Sequence, residues 1–129
     1  ITPSGRGVVQ MIAIQDQFYQ QALDSVDFIQ QYIFPGSFIP SLTVFQHALT
    51  QYTDCRIIGV IDIGLDYAKT LRLWRENIHR HQQELIGLGY DETFLRLWEY
   101  YLCYCEGGFW ERQLCDLQVT FTKPWHAVV

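Results

Sequence analysis

The side chains best suited to bind a metal, attack a substrate or carry a proton are four cysteines and four histidines. Cys55, Cys103, Cys105 and Cys115 match neither the spacing of a zinc module nor that of a small disulfide scaffold. They are expected as reduced, mostly buried thiols. His47, His79, His81 and His126 show no metal-ligand spacing, and His79 and His81, two apart on a helix, point in different directions. All four are expected at the surface or in packing, and no metal site is expected. Cradling a nucleotide phosphate would need a glycine-rich turn opening a helix after a strand. No G-x-G follows any strand here, and Gly87-Leu88-Gly89 falls between helices.

Any functional side chain must be held by the elements around it, and the patterning marks these out. Val8 to Ile14 is a β-prone apolar run bounded by Gly7 and Gln15-Asp16. From Asp16 the period becomes helical, with Phe18, Ala22, Val26, Ile29 and Ile33 on one side, which predicts a helix to about Tyr32. Phe34-Pro35-Gly36-Ser37-Phe38-Ile39-Pro40 carries two prolines and a glycine, so it is an apolar loop. A second helix, capped at Ser41, runs to about Tyr52 with Leu42, Phe45, Ala48 and Leu49 inward. Arg56 to Ile63 reads as the second strand.

Gly64 to Asp66 turns the chain into a long helix in which Tyr67, Leu71, Trp74, Ile78 and Leu85 share one side. Gly87-Leu88-Gly89 ends it. Asp91 caps a further helix with Phe94, Trp98, Tyr101, Cys105 and Phe109 inward, and Asp116 to Thr122 alternates as a third strand closed by Lys123-Pro124. Strand, two helices, strand, two helices, strand is an α/β order. Three strands are too few for a complete doubly wound sheet, so half a fold is expected. The opening T-P-S-G-R-G is a turn feeding directly into a strand, so the chain is expected to begin in mid-fold.

At 129 residues there is room for one domain, residues 1–129, with a real core. Hydrophobic residues at 49% against 18% charged exclude disorder. A net charge of -5 without a basic block leaves no footprint for nucleic acid. No apolar run approaches the roughly 20 residues that span a bilayer, and the start has no signal-peptide core, so a soluble cytoplasmic chain is expected.

Three strings are specific: SVDFIQQYIFPGSFIPS (Ser25 to Ser41), GLDYAKTLRLWREN (Gly64 to Asn77) and GYDETFLRLWEYYLCYCEGGF (Gly89 to Phe109). Through them the chain resembles the cyclopropane-fatty-acyl-phospholipid synthases and the related mycolic acid cyclopropane synthases, from about Gly7 to Pro124. The resemblance implies the C-terminal part of a class I S-adenosylmethionine-dependent methyltransferase fold, Rossmann-like. Its last three strands lie in the spatial order five, seven, six, with the seventh antiparallel. It also implies transfer of the sulfonium methyl group to a cis double bond of a phospholipid acyl chain, then loss of a proton from the added methyl to close the ring. A pocket bicarbonate serves as base, so its positioning matters more than its pKa.

The same resemblance implies the site residues. Tyr67 corresponds to the family tyrosine that hydrogen-bonds bicarbonate; the plainer alternative is a buried aromatic with its hydroxyl satisfied elsewhere. Gln10 stands where some members carry a bicarbonate-binding histidine, a departure from the pattern; its amide can donate to an anion but carries no proton, and the alternative is a core filler. The acidic ligand and the cofactor-binding turn would lie upstream of Ile1, leaving this chain inactive alone. Cys105 matches a cysteine of some members, yet its apolar stripe favours packing. Ile33, Phe34 and Phe38 in the apolar loop are expected to meet the lipid tail, unless the loop merely covers its own core. Lys69, Arg72, Arg75 and Arg80 form a basic edge, either solvated or touching lipid phosphate. The parent protein is thus expected to act peripherally at a membrane, with self-association of the chain through an exposed sheet edge. Two alternatives stay open: a lipid-binding or structural module without catalysis, and a lipid methyltransferase without ring closure.

Overall fold

The computed structural model describes residues 1–124. His126 lies outside them. Three strands, β1 (Arg6–Ile14), β2 (Arg56–Asp62) and β3 (Leu114–Thr122), form one sheet in the order β1-β3-β2. The last strand in sequence is central and antiparallel to both neighbours, the placement expected above. Its composition accounts for this, because Cys115, Leu117 and Val119 on one face and Asp116 and Thr122 on the other are all buried. A strand burying both faces must be covered from both sides of the sheet. The register sets Gln10 opposite Gln118 and Ile12 opposite Asp116.

Each face is covered by helix. Ala13, Cys115, Leu117 and Val119 make one core, against which α2 (Leu42–Tyr52) lays Leu42 and Phe45. The other face carries Ile12 and Leu114 beneath α3 (Gly64–Arg80) and α5 (Glu92–Trp110), whose Ala68, Leu71, Leu102 and Phe109 form the second core. At about 25 cal/mol per Å² of apolar surface removed from water, such residues supply most of the driving force for folding. Two helix starts are fixed by side chains: the Ser41 hydroxyl accepts from the Val44 N–H at 3.3 Å and the Asp91 carboxylate from the Phe94 N–H at 2.7 Å.

The structure corrects two element boundaries. The helix expected from Asp16 to Tyr32 stops at Leu23 as α1 (Asp16–Leu23), and a single π-helical turn follows at Ile29–Ile33. Between them Asp27 and Gln30 bond reciprocally: the Gln30 N–H donates to Asp27 Oδ1 at 2.9 Å and the Asp27 N–H to Gln30 Oε1 at 3.0 Å. This capping arrangement restarts the chain in a new direction and turns Val26 out to solvent. The long helix breaks at His81, whose Nδ1 lies 2.9 Å from the Asn77 carbonyl, and α4 (Gln82–Gly87) begins beyond it. In α5 the buried positions are Leu95, Leu102 and Phe109, and Trp98, Tyr101 and Cys105 of the expected stripe are partly buried against the same core. Tyr101 and Cys105 also face a cavity.

Candidate functional site

The α3 helix enters the site from a fixed corner. The Asp62 carboxylate Oδ1 accepts the Gly64 N–H at 2.8 Å and the Asp116 N–H at 3.3 Å, tying the helix start to the central strand. A Cβ on Gly64 would stand 3.0 Å from that oxygen and 3.3 Å from the Asp116 nitrogen, so a side chain here would press on the central strand. One turn on, Tyr67 meets the sheet face. Its ring packs edge-on to Phe109 at 5.0 Å and to Trp74 at 6.1 Å.

Tyr67 lines a cavity of about 560 Å³. Ile12 and Leu114 form its floor on the sheet, α3 and α5 supply one wall, and Phe18, Phe34, Phe38 and Ile39 close it from the insertion between β1 and α2. Phe34 stands edge-on to Tyr101 at 5.9 Å, so the loop and the α5 wall meet across it. Among the described residues the hydroxyls of Tyr67 and Tyr101 and the thiol of Cys105 have no hydrogen-bond partner. Burial, then the Asp116 carboxylate and the Cys105 thiol, push Tyr67 above the usual phenol range. Burial, then Cys105 and Tyr67, push Tyr101 up to about 12, and burial and Asp27 push the Cys105 thiol up to about 11. All three are therefore protonated at neutral pH: donors, not nucleophiles or bases.

Of the five expected site residues, the cavity brings together Tyr67, Phe34 and Phe38. Ile33 closes the π-helical turn, half-buried and off the cavity lining. Gln10 is also off the lining; its amide Nε2 donates to Asp116 Oδ2 at 2.9 Å. Gln10 thus faces Tyr67 only across Asp116. That carboxyl is 1% exposed and leaves Oδ1 without a hydrogen bond, and burial lifts its pKa above the usual carboxylate range, against the Gln10 bond and with help from Asp62. Asp116 and Tyr101 went unrecognised in the sequence; the available signal was a carboxylate among strand residues, where acids are depleted.

Among the described residues no three His, Cys, Asp or Glu side chains are grouped to hold a metal ion. Cys55 and Cys115 are buried, Cys105 is half-buried and Cys103 is exposed, all as free thiols. No described helix is long and apolar enough to cross a membrane. On the basic edge, Lys69 pairs with Asp66 at 3.0 Å and Arg75 with Glu106 at 3.0 Å. The strand-to-helix junctions here do not fit a dinucleotide: Ile14-Gln15-Asp16 has no glycine, and the Gly64 N–H is already bound by Asp62.

A family model described as mycolic acid cyclopropane synthetase matches residues 1–119. The tuberculostearic acid methyltransferase UfaA1 of Mycobacterium tuberculosis is 38% identical over 84% of this chain and 26% of its own length. The cyclopropane-fatty-acyl-phospholipid synthase of Escherichia coli K12 is 34% identical over 74% of the chain and 24% of its own length. The crystal structure of mycolic acid cyclopropane synthase CmaA1 complexed with SAH and CTAB superimposes with a TM-score of 0.80 at 22% identity, over 95% of this chain and 46% of that one. The chain spans about a quarter of the length of these curated relatives. Its three strands and their helices match part of a class I methyltransferase fold, and the chain belongs to the mycolic acid cyclopropane synthetase family of S-adenosylmethionine-dependent lipid methyltransferases.

Proposed function

We propose that this chain forms the acyl-chain side of an enzyme that transfers a one-carbon unit from S-adenosylmethionine to the cis double bond of an unsaturated phospholipid, closing a cyclopropane ring. One observation carries the reading: a cavity with aromatic and aliphatic walls into which the unpartnered donors Tyr67, Tyr101 and Cys105 are set, Tyr67 foremost. Phe34 and Phe38 meet the acyl chain, with Ile33 supporting them from the π-helical turn. The Tyr67 phenol donates to bicarbonate and holds it where a proton must be taken from the added methyl group. Gln10 contributes through Asp116, whose carboxyl it holds beside that phenol; a neutral Asp116 would not repel the anion. S-Adenosylmethionine supplies the methyl group and is held by residues outside this chain. The protein works peripherally on a bilayer.

A second reading, methylation without ring closure, is favoured by the 38% identity to a relative named a methyltransferase. The test incubates the full-length protein with isotope-labelled S-adenosylmethionine and vesicles of monounsaturated phospholipid, then examines the recovered acyl chains by proton NMR. An upfield cyclopropane methylene carrying the label supports ring formation. A labelled methyl or methylene branch selects the second reading, and unlabelled lipid would leave only a lipid-binding or structural module.

A further inference from the structure

We infer that the cavity selects lipids whose headgroup carries a cationic nitrogen, with net charge zero or positive, and disfavours anionic headgroups and free carboxylates. The inference rests on the acyl-cavity reading above and names the substrate class for that same cavity. Among the described residues the only charged side chains on the cavity lining are Asp27 and Glu111, and both are acidic. Among the described residues neither is paired with a cation. The Asp27 carboxylate is held in place by the Gln30 N–H at 2.9 Å and the Tyr104 hydroxyl at 3.3 Å, and Glu111 caps the end of α5 in solvent. The other polar lining groups, including Gln21, Ser25, Gln30 and Gln113, are neutral.

The sequence around the cavity has the same sign. Between Gln15 and Ser41, the insertion that closes the cavity, there are three aspartates, Asp16, Asp24 and Asp27, and no lysine or arginine. The cations of α3 do not compensate, since Lys69 and Arg75 lie off the lining and bind Asp66 and Glu106. A phosphate or carboxylate at this mouth would meet like charge with no counter-ion. An ammonium group would meet the two carboxylates of the lining and the ring of Tyr104, whose hydroxyl is bonded to Asp27.

The test uses the full-length protein and two single-chain lipids with the same oleoyl tail, lysophosphatidylcholine and lysophosphatidylglycerol, in equilibrium dialysis below their micelle concentrations. The zwitterionic lipid should bind about fivefold more tightly, the scale expected of exposed charge pairs. Added salt should shrink the ratio, and Asp27→Asn with Glu111→Gln should bring it close to one while leaving the circular dichroism spectrum unchanged. Equal affinity in the parent protein would overturn the inference and keep the acyl cavity, as would a preference that persists at high salt. If that double variant does not fold, the salt titration of the parent decides alone. Binding of neither lipid would remove the cavity reading itself, and the inference with it.

Discussion

Replacing Tyr67 by Phe removes one hydroxyl and leaves everything else the structure assigns to that side chain. The ring contacts to Phe109 at 5.0 Å and Trp74 at 6.1 Å survive, because they involve carbon atoms that both residues share. The hydroxyl has no protein partner among the described residues, so its loss strands no donor or acceptor. Stability should therefore change by no more than about 0.5 kcal/mol. A charge-assisted hydrogen bond to an anion contributes about 1.5 to 3 kcal/mol. Lost from the transition state at 1.36 kcal/mol per tenfold, it would slow product formation by about tenfold to a little over a hundredfold. The assay compares initial rates of lipid modification by full-length parent and Tyr67→Phe across a bicarbonate titration, with thermal unfolding alongside. The expected variant is slow, thermally unchanged, and needs more bicarbonate. Equal turnover at limiting and saturating bicarbonate, or a loss of stability matching the loss of rate, would refute the reasoning and return Tyr67 to the core.

Asp116→Asn should stabilise the fold at neutral pH, because the amide still accepts from Gln10 and leaves no charge to bury. Because the folded carboxyl titrates above its ordinary 3.8, its contribution is full below that value and declines as pH rises through the higher folded value. Denaturant unfolding from pH 3 upward should show that decline in the parent and not in the variant. Phe34→Ser with Phe38→Ser exposes no core, since both rings are already 49% and 42% exposed, so acyl-chain affinity should fall while the melting temperature holds; equilibrium dialysis and calorimetry read the two separately. Asp91→Ala removes the 2.7 Å cap of α5 and should cost about 1 kcal/mol by urea denaturation. The outer edge of β1 pairs with no described strand, so residues 1–129 expressed alone should associate with increasing concentration in sedimentation velocity.

The parts of the fold governed by local chemistry were readable in the sequence. Alternating apolar runs marked the strands, Ser41 and Asp91 marked two helix starts, and the apolar loop stood out by its prolines. The central place of the last strand came from the family resemblance, and the structure bears it out. What escaped notice depends on pairs. The Asp27–Gln30 exchange that splits the first helix uses residues that equally suit a helix surface, so periodicity alone runs straight through it. The cavity escaped for a related reason, since Ile12, Tyr67, Tyr101 and Leu114 meet only once the sheet has brought distant segments together. Tyr67 was found by its motif. Asp116 and Tyr101 carry no motif of their own, and only burial beside Tyr67 gives them significance.

The central claim is that an acyl chain lies in the cavity with its double bond near Tyr67, and photocrosslinking tests it most directly. A phospholipid carrying a diazirine at mid-chain, where the double bond would lie, is irradiated with the full-length protein, and the labelled peptides are sequenced by mass spectrometry. Label on Tyr67, Tyr101, Cys105 or Phe34, competed away by unlabelled monounsaturated phospholipid, is the predicted result. Label confined to the outer faces of α2 and α4, or insensitive to competitor, would contradict the account.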